Sequence, residues 1–131
     1  MKTIIRGVGD TIQVPVTPPW PGQTLAEFDV PDDTVQTLEA LSLQFHIGQG
    51  DPAHYIFHIF VKGADPNVEG SPWWTYAMPN NPYDPLWWGP KNYQPHLRIA
   101  GPAHVVVMAI NITGYPQSLY WSSLWIEESL S

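Results

Sequence analysis

The sequence contains no cysteine, which excludes disulfides, thiolate metal sites and a cysteine nucleophile. Charge is scarce as well. Asp, Glu, Lys and Arg make up 13% of the residues, against roughly 25% in ordinary soluble domains. Two surfaces fit that figure: one partly buried between subunits, or one rich in Ser, Thr, Gln and Asn. Five bases stand against twelve acids, for a net charge of -7. Lys2, Arg6, Lys62, Lys91 and Arg98 are scattered, so no basic stripe tracks a phosphate backbone and nucleic acid is not an expected partner. No apolar run is long enough for a membrane helix, and residues 1–13 lack the apolar core of a secretory signal. A membrane is therefore not an expected partner either.

What the sequence has in excess is proline and tryptophan, fifteen and seven residues. With 44% apolar content and no repeat period, this describes a folded, turn-dense all-β chain rather than a disordered one. One domain over residues 1–131 is expected.

Strand-like sequence covers residues 3–16, 25–30, 38–47, 54–62, 97–99, 103–112 and 119–127. Between Asp33 and Leu41 a short capped helix competes with a strand. The strand is favoured, because Leu41, Leu43, Phe45 and Ile47 alternate with Ser42, Gln44 and His46. Two strands lack a polar face. Residues 54–62 place Tyr55, Phe57, Ile59 and Val61 on one side and His54, Ile56, His58 and Phe60 on the other, and residues 103–112 oppose His104, Val106, Met108 and Ile110 to Val105, Val107 and Ala109. A strand apolar on both sides must be covered on both. The expected architecture is an antiparallel β-sandwich of jelly-roll type, with an immunoglobulin-like sandwich as the alternative, although the Cys-Trp-Cys hallmark of the latter is missing.

An aromatic, Pro-rich insertion at about 63–96 interrupts this pattern. Residues 71–93, SPWWTYAMPNNPYDPLWWGPKNY, carry Pro72, Pro79, Pro82, Pro85 and Pro90 and read as a long, stiff loop. Trp73, Trp74, Tyr76, Tyr83, Trp87, Trp88 and Tyr93 supply apolar area that must be buried somewhere. They can stack on sugar rings, fill a protein interface, or cover their own sandwich. Neighbouring side chains of extended backbone point opposite ways, so neither Trp doublet forms one flat platform. Interface and self-covering are preferred on that ground, with one Trp of each pair facing inward.

Signals for catalysis are thin. His54 and His58 share a strand face but stand about 13 Å apart, beyond one ion; His46, His96 and His104 could join them only through the fold. Asp29, Asp32 and Asp33, with Asp51 or Asp65, suggest calcium or, better, turn formation. Asp84, Glu69 and Glu127 have no fixed separation for glycoside hydrolysis, and Glu127-Glu128 reads as a solvated tail. No GxSxG elbow or P-loop occurs, since GVGD and GQGD lack the pattern. No enzyme activity, metal or cofactor is expected. The Asn111-Ile112-Thr113 sequon reads as chance.

Taken as a whole, a short cysteine-free chain that starts in a strand and sets a Pro/Trp-rich insertion among apolar strands resembles the small jelly-roll accessory proteins that decorate virus and phage capsids. The resemblance implies a non-enzymatic homo-oligomer, a trimer for preference, docked on a larger assembly and located on the virion. Without a viral source the expected location is cytoplasmic. The expected contact residues are Ile56, His58, Phe60, Val106 and Met108 on the strands, with the seven aromatics of the insertion. A carbohydrate-binding module or lectin is the alternative, and a cupin-like enzyme would need histidines and carboxylates converging on a metal.

Overall fold

The computed structural model describes residues 1–7, 11–14, 22–46, 55–65, 67–68, 70–78, 91–111 and 117–130. Ten strands account for most of them: β1 (Lys2–Arg6), β2 (Thr11–Val14), β3 (Gln23–Val30), β4 (Thr34–His46), β5 (Tyr55–Val61), β6 (Trp73–Met78), β7 (Lys91–Tyr93), β8 (Leu97–Ala100), β9 (Ala103–Asn111) and β10 (Gln117–Ser129). All pairings are antiparallel. The first sheet runs β1-β10-β4-β7, with β2 following β1 along β10 and β8 lying beside β4. The second runs β3-β9-β5-β6. The chain is thus an all-β, antiparallel β-sandwich, as the alternating pattern predicts.

Inward-facing side chains from both sheets make one core, in which Leu38, Leu41, Leu43, Trp121 and Trp125 from the first meet Val30, Phe57, Ile59, Val105, Val107 and Ala109 from the second. Phe28 meets Trp125 edge-on, ring centroids 5.0 Å apart, and Phe57 lies 6.0 Å from Trp121. A buried indole N–H needs an acceptor. Trp125 Nε1 donates to Ser123 Oγ at 2.9 Å, and Ser123 Oγ donates to the Arg6 carbonyl at 3.1 Å.

Residue 38 is out of phase with 41 and 43, yet all three leucines are buried. The register explains this, because Leu124 pairs with Ala40 and Trp125 with Leu38, so that Glu39 is an extra residue on β4. Such a bulge restores the inward side after an odd step. It is also why the first half of this stretch resembles a helix while β4 begins at Thr34. A similar shift between Thr24 and Ala26 on β3 keeps Ala26, Phe28 and Val30 on the core side.

Two expectations need correction. Residues 71–93 are not loop throughout: Trp73–Met78 is a strand paired with β5, and Lys91–Tyr93 one paired with β4. Pro72 and Pro79 bracket a proline-free six-residue window, and β6 sits at a sheet edge, where flanking prolines do no harm. Tyr83, Trp87 and Trp88 lie outside the described residues. Glu127-Glu128 is not a tail, since β10 runs through Ser129 and Glu127 Oε2 accepts a hydrogen bond from the buried Gln36 Nε2 at 2.8 Å. Asp32 and Asp33 lie in the β3–β4 turn, where the Asp33 N–H donates to Asp32 Oδ1 and Thr34 Oγ1 to the Pro31 carbonyl.

Candidate functional site

The outward face of the second sheet brings together residues that the sequence sets far apart. The register places Phe60 between Val106 and Trp73, His58 between Met108 and Thr75, and Ile56 opposite Ile110. The Trp73 ring lies on Phe60 with centroids 4.3 Å apart and 13° between planes, and meets His58 edge-on at 5.5 Å. Flat overlap of this kind adds to area burial and fixes both rings. Ile56, Phe60, Trp73 and Met108 remain partly exposed.

Trp74 points the other way and packs against the core with Tyr76 and Tyr93. The divergence of Trp73 and Trp74 follows from the period of two. The Tyr76 and Tyr93 rings tilt together, centroids 5.1 Å apart. Burial raises both phenol pKa values, and for Tyr76 the neighbouring Tyr93 adds to it. Of the seven aromatics expected to make contacts, Trp73 is thus placed outward, while Trp74, Tyr76 and Tyr93 contribute to self-covering.

Val106, one of the expected contact residues, is buried at 6% exposure, as is Ile110 on the same strand at 7%, so both offer little surface to a partner. His58, at 1%, is buried too. Its Nδ1 lies 3.2 Å from Thr75 Oγ1, and burial lowers its pKa below the usual histidine value. Burial thus favours the neutral imidazole, which lies edge-on against Trp73.

A second cluster borders this patch. His104 on β9 lies opposite Asp29 on β3, with Glu27 opposite the neighbouring Val106. Its Nδ1 stands 2.7 Å from Asp29 Oδ1 and its Nε2 2.7 Å from Glu27 Oε2. Asp29 and His104 also line an open recess with Pro31, Asp32 and Pro102. Hydrogen bonds to Asp29 and then Glu27 raise the His104 pKa above the ordinary value. The acids are two residues apart on an edge strand, a spacing visible in the sequence, but their histidine partner follows only from the register.

Among the described residues the histidines do not converge. His96, between β7 and β8, pairs with Glu39 at 2.9 Å, His104 with acids of the second sheet, and the side chains of His46 and His54 lie outside the described residues. Among the described residues no three His, Cys, Asp or Glu side chains are grouped to hold a metal ion, and no helix is long and apolar enough to cross a membrane. The most unexpected participant is Arg6, whose guanidinium lies 3.4 Å from the Phe28 ring centroid. A lone cation ending an apolar strand, IIR, was its only sequence signal. Comparison with protein-family models, with curated proteins and with solved structures finds no match.

Proposed function

We propose that this protein is a non-enzymatic assembly subunit that associates with further copies of itself through the outward edge of the second sheet, of the kind that decorates a capsid. The single observation carrying the reading is the Trp73–Phe60 stack on β6 and β5, joined by partly exposed Ile56 and Met108. β6 ends the strand order of its sheet, and its sequence WWTYAM has no charge or proline to discourage pairing. A second copy is the occupant favoured here, because an uncharged, aromatic patch on a chain with so few charges suits a like surface better than a charged ligand.

Strand order supports the finer reading of the fold as a jelly roll. The chain pairs β1 and β2 with β10, β3 with β9, β4 with β7 and β8, and β5 with β6, a nested set of pairs suited to a double-sheet roll and unlike the immunoglobulin order. Mass in solution tests the function. A compact oligomer, a trimer for preference, that Trp73→Ala or Ile56→Asp dissociates without unfolding is the expected result. A stable monomer that binds a glycan in a Trp73-dependent way would replace this reading with the carbohydrate-binding one, since a sugar ring can stack on indole.

A further inference from the structure

Strand β3 ends the order of the second sheet and, among the described residues, takes its ladder from β9. Its ladder is interrupted between Thr24 and Ala26. The portion beyond the bulge carries Glu27 and Asp29 on the side away from the core, two like charges on neighbouring same-face positions. Like charges so placed repel.

His104 answers both. Each ring nitrogen meets a different carboxylate at 2.7 Å, and an ionised carboxylate only accepts hydrogen bonds. Both contacts are hydrogen bonds only when both nitrogens carry a proton, as in the imidazolium. Neutral imidazole keeps one N–H; its other nitrogen then turns a lone pair toward a carboxylate. Loss of one proton therefore removes an attraction and puts a repulsion in its place.

We propose that His104 is a proton-operated latch, which fastens the edge strand β3 to β9 while protonated and loosens it when neutral. Among the described residues the charged groups around the ring are Glu27 and Asp29 from β3 and Asp32 on the shared recess. On the β5 side the adjoining residue is Lys62, whose backbone N–H donates to the His104 carbonyl at 2.7 Å. The two bonded carboxylates hold the ring's pKa above 6.5. Linkage then fixes the sign: the latch is fully closed below pH 6.5 and opens as pH rises through the higher, folded-state value. Because the cluster is exposed, salt screens it and the effect stays local to β3. The latch stands whether or not the chain self-associates.

Two measurements on the full chain test it. Imidazole nitrogen NMR reads the protonation of His104, and hydrogen exchange reads the protection factors of β3 amides against those of β1. The expected result is a titration midpoint above 6.5, with β3 protection falling several-fold across that titration while β1 stays level. In His104→Gln the fall disappears. Asp29→Asn, which leaves the ring in place, moves the midpoint and the fall together to lower pH. A midpoint at or below 6.5, level β3 protection in the unaltered protein, or the same fall in both variants at the original pH would overturn the proposal.

Discussion

The guanidinium of Arg6 lies 3.4 Å from the centroid of the Phe28 ring and 5.2 Å from that of Trp125, so one side chain from the edge strand of the first sheet reaches the edge strand of the second. Burial lowers its pKa to about 10, against the opposing pull of Glu127, and it remains a cation at neutral pH. Arg6→Ala is expected to cost about 1–2 kcal/mol, the range for a desolvated cation–π contact with lost stem packing. Arg6→Lys should fall between, since an ammonium cannot lie flat on a ring. A denaturant series with unchanged slope measures both. If Phe28→Leu costs as much in Arg6→Ala as in the unaltered protein, the two residues are not coupled.

The Trp73-Trp74 doublet predicts two different phenotypes from adjacent residues. Trp74→Ala removes a ring packed on the core and should destabilise the fold by about 3 kcal/mol, with more, up to about 5 kcal/mol, for the fully buried Trp125→Ala. Trp73→Ala should leave the thermal transition much closer to that of the parent and shift the mass in solution toward monomer. Calorimetry and sedimentation on the same samples distinguish them, and equal losses of stability would place both indoles in the core.

His58 gives the fold an acid limit. Its pKa is lowered by burial, so below 6.5 the unfolded chain takes up a proton that the folded chain resists, and stability falls as pH drops through that value toward the folded one. His58→Gln, which cannot charge, should flatten the stability profile between pH 7.5 and 5 even if it lowers the whole curve. An unaltered slope in that variant would show that His58 is free to protonate in the folded state.

Gly7 and Gly63 make a matched pair. Both have positive φ, +85° and +90°, but a Cβ on Gly7 would lie 2.6 Å from the Trp121 ring, whereas nothing stands within 4 Å of one on Gly63. Gly63→Ala should cost only the left-handed backbone penalty, about 1–2 kcal/mol. Gly7→Ala adds overpacking of about 1–3 kcal/mol. Chemical denaturation of the two variants measures the difference directly.

What the sequence discloses here is set by the range of each interaction. Alternation at 41–47 identifies β4, and a nearly continuous apolar run at 103–112 identifies β9, because a strand's two faces are written into neighbouring residues. Leu38 breaks that alternation, and only the partner strand reveals the Glu39 bulge that absorbs it. The loop expected at 71–93 came from counting prolines over a long window; the six residues between Pro72 and Pro79 are proline-free and alternate well enough for an edge. The latch joins residues 75 and 77 positions apart, and the Arg6–Phe28 contact crosses from one sheet to the other. Neither distance leaves a local trace.

Because Lys2 pairs with Glu127 and Thr11 with Tyr120, β1 and β2 have as partner a strand that is made long after them. β10 also separates β1 from β4 in the first sheet, so a nascent chain stopped before residue 117 leaves that sheet in two unjoined parts, with Leu41 and Leu43 facing no Trp121 or Trp125. Closure of the core therefore waits until β10 has been made, and the contacts that reward it are distant in sequence, which makes folding slow. During that interval the apolar strands are open to non-native partners. Production in the cell should consequently depend more on chaperone capacity and translation temperature than the equilibrium stability of the finished sandwich would suggest.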